Sequence, residues 1–227
     1  MSALDARAFT VGPVQENCYI VRAHGDATRA VIVDPGDEAE RLLAAAEALG
    51  TEIEAILVTH CHFDHIGAVA EVARATGAPV YCPQIERPVL ADVMSWVPPG
   101  FGPFESHEAE HTLAGGEQLS LAGIDFNVIF TPGHSPGHLT YAAPGVLLSG
   151  DVLFQGSVGR VDLPGGDWDT LERSIEGLLA SHPPETVVYP GHMGLTTLGR
   201  ERDTNPFLSE LRVRLPGVAA DSPAAGR

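Results

Sequence analysis

Residues 59–65 have the sequence THCHFDH and concentrate side chains that can bind a metal ion. A lone histidine is usually a surface residue or a satisfied core residue, so each one by itself says little. Three histidines and an aspartate within six residues are a different case. Neutral imidazole nitrogens and carboxylate oxygens are ligands for zinc, iron and manganese alike. The segment therefore indicates a metal site.

The apolar run at residues 53–58 predicts a buried strand that leads directly into this segment. Side chains alternate along a strand, so we expect His60 and His62 on one face and Cys61 on the other, as a packing residue. Asp64 and His65 follow where the chain turns toward the next helix. Two pairs of ligands aimed at neighbouring points favour two metal ions over one.

Further metal-binding residues lie where other predicted strands end. His134 is in the segment TPGHSPGH, Asp151 follows Ser-Gly, and His192 follows Pro-Gly. Periodicity and turn residues predict strands at residues 8–11, 17–21, 30–33, 53–58, 80–82, 117–121, 124–130, 139–142, 146–148 and 186–189. Helices are predicted at residues 38–49, 66–76 and 86–93, and from a cap at Asp169 or Thr170 through residue 179.

The arrangement of these elements predicts an α/β fold in one domain. Two strand-rich halves, each with helices, favour two sheets packed face to face with helices outside. We expect the domain to span residues 1–215 and a disordered tail at 216–227, because the tail is mostly Gly, Ala, Pro and Ser. The long loop 95–112 has two interpretations, a functional loop that closes over the site or a surface excursion whose aromatic residues pack on the core.

Composition restricts where the protein acts and what it binds. No run approaches the ~20 apolar residues of a membrane span, and the N-terminus lacks the layout of a secretory signal. Three scattered cysteines fit reduced thiols. We therefore expect a cytoplasmic protein that does not bind membranes. A net charge of −17 repels phosphate backbones and excludes nucleic acid as a general partner.

Taken together, these motifs resemble the metallo-β-lactamase superfamily. The resemblance implies an αβ/βα four-layer sandwich with metals at one edge between the sheets. Within that superfamily the chain is most similar to glyoxalase II-like hydrolases, including the short bacterial type. The similarity is carried by NCY at 17–19, DPG at 34–36, TPGHSPGH at 131–138, GRVD at 159–162, and TLGRER at 197–202 before NPF at 205–207.

The resemblance also implies a complete ligand set for two divalent ions, with zinc the first choice and iron or manganese the alternatives. It assigns one ion to His60, His62 and His134, the other to Asp64, His65 and His192, and a bridging role to Asp151. Seven ligands over two ions leave positions open for water, as a catalytic site requires. Water between two cations can be deprotonated near neutral pH, and the hydroxide attacks a carbonyl carbon. Asp64 is the candidate catalytic residue that orients this hydroxide.

Two residues are candidates for contact with the substrate. Arg160 has the fork geometry that matches a substrate carboxylate, although an ion pair with Asp162 or Asp167 would serve equally to hold its loop. His138 could contact the substrate or cap the loop that contains it.

The resemblance implies hydrolysis of small thioesters of the S-lactoylglutathione type. One departure concerns glutathione, because the full-length enzymes use a C-terminal helical domain to bind it and only 35 residues follow His192 here. A mononuclear-iron persulfide dioxygenase is an alternative, although the cysteine usual in that family near the position of His138 is absent. A lactone, ester or β-lactam hydrolase of the same fold is another. The oligomeric state is left open.

Overall fold

Two six-stranded sheets, packed face to face, form the centre of the computed structural model, which describes residues 4–214. The predicted tail at 216–227 lies outside the described residues, as does the last residue of the predicted domain. None of the helices within residues 4–214 is long and apolar enough to cross a membrane.

The first sheet is built from the N-terminal half and has the strand order β1-β2-β3-β4-β5-β6. The bounds are Asp5–Val11 (β1), Glu16–Arg22 (β2), Arg29–Val33 (β3), Glu52–Leu57 (β4), Val80–Pro83 (β5) and His111–Leu113 (β6). Strands β3 to β6 run parallel, and parallel neighbours need a crossover. The helices between these strands are Ala39–Ala48 (α1), Phe63–Ile66 (α2), Val69–Thr76 (α3) and Arg87–Ala91 (α4), with a 3₁₀ turn at Val93–Ser95.

The second sheet is built from the C-terminal half. Its strands are Gln118–Leu121 (β7), Ile124–Phe130 (β8), Leu139–Ala143 (β9), Val146–Gly150 (β10), Val187–Pro190 (β13) and Thr196–Thr197 (β14), in the order β14-β13-β10-β9-β8-β7. A small hairpin joins Leu153–Phe154 (β11) to Ser157–Val158 (β12). The helices are Trp168–Ser181 (α5), Leu198–Thr204 (α6) and Ser209–Arg214 (α7), with a 3₁₀ turn at Pro206–Leu208.

Alternation along the buried strands creates separate apolar layers. In β2, Tyr19 and Val21 pack between the two sheets, whereas Cys18 and Ile20 pack under the helices of the first half. A third apolar cluster joins the second sheet to α5 and α6. Strand β2, which is apolar at each of residues 18–21, is therefore buried on both faces. The result is the four-layer αβ/βα sandwich, and the predicted fold is confirmed.

Three local predictions were wrong. Strand β4 ends at Leu57, so His60 and His62 lie in a loop rather than on a strand. The helix expected at 66–76 is divided into α2 and α3, because the N–H of Ala68 donates to the carbonyl of Pro35 instead of continuing the helix (3.0 Å). Helix α5 is capped by Asp167, whose carboxylate accepts the N–H of Thr170 (2.8 Å).

The segment Asp34-Pro35-Gly36 passes directly under the chain that contains the histidine cluster. A Cβ at Gly36 would lie 1.6 Å from the carbonyl oxygen of Asp64. Real Cβ atoms do not approach backbone this closely, so one of the two segments would have to move. Glycine at position 36 therefore allows the β3 end and α2 to pack together.

We expect Gly36→Ala to lower the free energy of unfolding by at least about 1–3 kcal/mol, because the added methyl group overpacks this contact. Chemical denaturation of the metal-free protein measures the effect. Gly25→Ala is the matched control, since a Cβ at Gly25 meets nothing within 4 Å. Equal stability of the two variants would contradict this interpretation of the contact.

Candidate metal centre

Three histidine rings converge on one point, which we name the first subsite (His60, His62 and His134). Nδ1 of His62 lies 3.1 Å from Nε2 of His60 and 2.9 Å from Nε2 of His134, and the two Nε2 atoms are 3.2 Å apart. Ligand nitrogens around a tetrahedral zinc ion with bonds of 2.0–2.1 Å are about 3.3 Å apart. The spacing of the three nitrogens therefore fits one metal ion.

The electrostatics of the first subsite favour neutral imidazoles. Burial, reinforced by neighbouring histidines, lowers the pKa of His60 well below its ordinary value and that of His62 to about 4. Near neutral pH these two rings therefore carry no charge. A neutral ring whose other nitrogen bears the proton offers a lone pair, which is the form that binds a metal.

A second group of ligands, the second subsite (Asp64, His65 and His192), lies beside the first. Oδ2 of Asp64 is 3.3 Å from Nε2 of His192 and 3.9 Å from Nε2 of His65. Asp151 stands between the two subsites. Its Oδ2 is 3.4 Å from Nε2 of His134, and its Oδ1 is 3.4 Å from Nε2 of His65. One carboxylate thus faces both groups of imidazoles.

Two buried polar atoms of this arrangement lack a hydrogen-bond partner among the described residues, Nε2 of His65 and Oδ1 of Asp151. Buried polar groups are nearly always satisfied. Burial would raise the pKa of Asp151, but His65 and His134 outweigh it and hold that pKa below its ordinary value. A cation between the ring nitrogen and the ionised carboxylate would satisfy both. The residues present therefore fit a divalent metal.

Asp34 fixes the orientation of the ring beneath the second subsite. Its Oδ1 accepts the N–H of Thr59 (2.7 Å), and its Oδ2 accepts the hydroxyl of Thr59 (2.6 Å) and lies 3.0 Å from Nδ1 of His65. With Nδ1 of His65 engaged, Nε2 is left to face the metal. Asp34 belongs to the DPG motif, but the sequence does not show that it would reach His65. The fully buried Glu16 lies 3.8 Å from the same Nδ1.

Glu86 connects the two loops that supply the first subsite. It is 5% exposed, and its carboxylate accepts the N–H of Cys61 (2.6 Å), the N–H of Gly137 (2.8 Å) and the hydroxyl of Ser135. The first contact lies between His60 and His62, and the other two lie just after His134 in its loop. A glutamate before a short helix gives no sequence signal for this role, so sequence analysis missed it.

His138, one of the two candidates for contact with the substrate, lies in the interior of the protein. It is fully buried, with Nδ1 3.1 Å from the hydroxyl of Thr131, and its Nε2 accepts the N–H of Asp151 (3.0 Å). Both nitrogens are therefore engaged by the protein. His138 thus holds Asp151, which is close to the loop-capping alternative.

Arg160 forms the ion pair that was its alternative role. Its Nε and one terminal nitrogen each donate to Asp162 at 2.7 Å, and its side chain is 63% exposed. What reaches the site is its backbone, because Nδ1 of His134 donates to the carbonyl of Arg160 (2.7 Å). This contact orients Nε2 of His134 toward the first subsite.

The other half of the second subsite is held from the first sheet. The amide of Asn17 donates to the carbonyl of Met193 (2.9 Å), and the hydroxyl of Tyr19 donates to the carbonyl of Pro190 (2.7 Å). These bonds bracket His192 on both sides. The motif NCY at 17–19 therefore positions a ligand, while Cys18 packs in the core.

Cys61 points away from the metal ligands, as predicted. Its Sγ lies 3.5 Å from Sγ of Cys82, and both thiols are buried. Burial raises the pKa of Cys61 well above its ordinary value, so this residue is a neutral packing side chain.

A cavity of about 310 Å³ opens beside Asp64. One wall is formed by the turn between β1 and β2, and another by Phe63 with residues 100–104 of the long loop. The ring of Phe63 lies 4.6 Å from that of Phe101 and 6.2 Å from that of Phe104 (centroid distances). Aromatic residues of the loop 95–112 therefore pack against Phe63 and line the cavity beside Asp64.

The family model of the metallo-beta-lactamase superfamily matches residues 11–192, the part of the chain that contains every residue of both subsites and Asp151. The chain belongs to the metallo-beta-lactamase superfamily. The resemblance seen in the sequence is therefore confirmed. Membership supports a metallohydrolase, because this superfamily binds divalent metals.

Individual relatives cover nearly the whole chain. The hydroxyacylglutathione hydrolase GloC of Haemophilus influenzae is 35% identical over 216 residues, which are 91% of this chain and 99% of the relative. The crystal structure of BLEG-1, described as a B3 metallo-beta-lactamase, has 41% identity and a TM-score of 0.85 and covers 90% of this chain and 100% of its own. TTHA1623 in a di-iron-bound form has 43% identity and a TM-score of 0.74, with coverage of 89% and 100%.

We expect the second subsite to lose its metal at a higher pH than the first. Burial alone would lower the pKa of His65 and of His192, but the acidic neighbours Asp151 and Asp64 raise both values. Protons therefore compete with the metal there, whereas His62 stays neutral to about pH 4.

Dialysis against buffered zinc from about pH 7.5 to pH 5, followed by elemental analysis, measures this order. Wild type should pass from two ions to one, and His192→Ala should hold one ion over the same range. Release of both ions in a single step, or earlier release from His192→Ala, would contradict the assignment.

We expect Glu86→Gln to weaken metal binding by roughly 10–100-fold, because an amide cannot accept hydrogen bonds with both of its ends and the loops around His60 and His134 would shift. Competition with a chelator measures the affinity. Glu117→Gln is the control, since Glu117 accepts the N–H groups of Ala114 and Gly115 in an exposed turn. Equal affinity in the two variants would show that Glu86 does not position the ligands.

Proposed function

We propose that this protein hydrolyses small thioesters of the S-lactoylglutathione type with two divalent metal ions, zinc as the first choice and iron or manganese as alternatives. The observation that carries the proposal is the position of Asp151, whose two oxygens face separate groups of imidazoles. Similarity to GloC, a hydroxyacylglutathione hydrolase, supports the reaction type. Similarity to TTHA1623, which has a di-iron form, supports two ions.

Divalent ions in such a site lower the pKa of a water molecule and polarise a carbonyl oxygen. The protein contributes position and charge. Asp64 is half-buried, lines the cavity and lies 3.3 Å from Nε2 of His192. Burial alone would raise the pKa of Asp64, but the opposite effect of His65 and His192 is larger. The pKa therefore lies below its ordinary value, and the carboxylate stays ionised. It can therefore accept a hydrogen bond from a water molecule and orient it toward a substrate in the cavity.

The proposed reaction needs no nucleophilic side chain. A thiolate leaves readily near neutral pH because the pKa of a thiol is about 8.5. The buried thiols of Cys61 and Cys82 face each other in the core, so they do not take part. Hydrolysis by an oriented water is the reaction that the positions of the described residues favour.

A β-lactam or lactone hydrolase is the second candidate. The observation that favours it is the similarity to BLEG-1, a B3 metallo-beta-lactamase, over 90% of this chain. The same oriented water would open a strained cyclic amide or ester. A mononuclear-iron dioxygenase has less support, because the second subsite would then have no role.

We expect hydrolysis of S-lactoyl-N-acetylcysteamine to require metal, and Asp151→Asn to lower kcat/KM by at least about 100-fold, because an amide is a poorer ligand for both ions. Thiol release measures the rate, with a β-lactam and a lactone assayed in parallel. Asp125→Asn, at an exposed residue that accepts from Ser120 (2.6 Å), is the control.

Thioester turnover no greater than that of the metal-free protein would contradict the proposal. Turnover of the β-lactam or lactone alone would establish the second candidate instead. Full activity of Asp151→Asn would show that this carboxylate does not hold the ions.

A further inference from the structure

The cavity beside Asp64 has apolar walls. On one side, the rings of Phe63, Phe101 and Phe104 lie together. On the other, Val11, Pro13 and Val14 line it from the turn between β1 and β2. Val14 is 37% exposed, so the apolar surface continues to the mouth. Aromatic and aliphatic walls on opposite sides bind an apolar group by dispersion and burial.

The size of the cavity limits what it can hold. A volume of about 310 Å³ corresponds to about ten water-sized groups. An acyl chain or an aromatic ring fits in this space. A tripeptide conjugate is larger than such a group, and its polar atoms would gain nothing from the apolar walls.

The charged side chains along the cavity are all acidic. Asp64 belongs to the second subsite, so in the metal-loaded protein the remaining carboxylate of the lining is that of Asp37, and the lining contains no arginine. The chain contains 13 arginines and no lysine. Oδ1 of Asp37 accepts only the N–H of Glu38 (2.7 Å), which leaves its negative charge without an ion pair among the described contacts. A second carboxylate placed against Asp37 would be repelled.

The arginine best placed by sequence to bind a carboxylate is already occupied. Arg160 makes two hydrogen bonds of 2.7 Å to Asp162 and points to solvent. Seven other described arginines also form an ion pair with an aspartate or glutamate: Arg7, Arg22, Arg29, Arg41, Arg74, Arg87 and Arg202. Because no arginine lines the cavity, the two carboxylates of a glutathione conjugate would meet no cationic side chain in its lining.

We propose that this cavity selects thioesters whose bound part is apolar and free of carboxylates, and that it discriminates against glutathione conjugates. This inference rests on the proposed thioester hydrolysis and narrows its substrate class. The specificity-determining residues are Phe101, which provides the apolar wall, and Asp37, which repels anions.

Binding of two uncleavable thioethers to the metal-loaded full chain tests the selection without relying on catalysis. S-benzyl-N-acetylcysteamine is neutral, whereas S-benzylglutathione carries the same benzyl group on an anionic tripeptide. Isothermal calorimetry should give at least about tenfold tighter binding of the neutral thioether. Phe101→Ala should weaken that binding by about tenfold. Asp37→Asn should reduce the ratio between the two ligands several-fold by improving the binding of S-benzylglutathione.

Equal or tighter binding of S-benzylglutathione by the wild type would overturn the proposal, and so would failure of the neutral thioether to bind. A ratio unchanged in Asp37→Asn would remove Asp37 as the cause. Because neither thioether is hydrolysed, these outcomes are distinct from failure of the thioesterase assay, which bears on the proposed function. Asp125→Asn serves again as the control and should bind both ligands as the wild type does.

Discussion

The structure depends on keeping one ionised carboxylate, that of Asp151, inside the protein. A buried charge is costly unless it is paired, and here the compensation comes from imidazoles on all sides and, we propose, from two cations. Its surroundings leave no room for side chains. A Cβ at Gly159 would lie 1.9 Å from the carbonyl oxygen of Asp151, and one at Gly191 would lie 2.2 Å from its Oδ1. The glycines that flank the site are therefore part of how the charge is enclosed.

This constraint also explains why the two sheets belong to one unit. His60, His62, Asp64 and His65 follow the first sheet, whereas Asp151 and His192 follow strands of the second. Neither half has a complete site. The apolar layer between the sheets fixes their relative position, and direct bonds from Asn17 and Tyr19 to the His192 loop complete it. The interface that packs the two sheets together therefore also sets the relative positions of the candidate ligands.

The residues that the structure brings together as candidate ligands could be found in the sequence because each one has a local signature. His60, His134 and His192 each follow a strand. His134 and His192 lie in loops rich in glycine and proline, and His60 lies among other residues that can bind a metal, so each pattern is visible in one stretch of chain. The residues that orient them have no such signature. Glu86 and Asp34 act across 25 or more positions of sequence, through contacts that only the tertiary fold creates. His138 was visible as a histidine, but its fully buried position between Thr131 and Asp151 was not.

The proposal of two ions sharing Asp151 is tested most directly by anomalous diffraction from crystals of the metal-loaded protein, recorded on both sides of the metal absorption edge. The account predicts two anomalous peaks about 3.5–4 Å apart, one beside His60, His62 and His134, the other beside Asp64, His65 and His192, with Asp151 between them. A single peak, or peaks that do not contact Asp151, would contradict it.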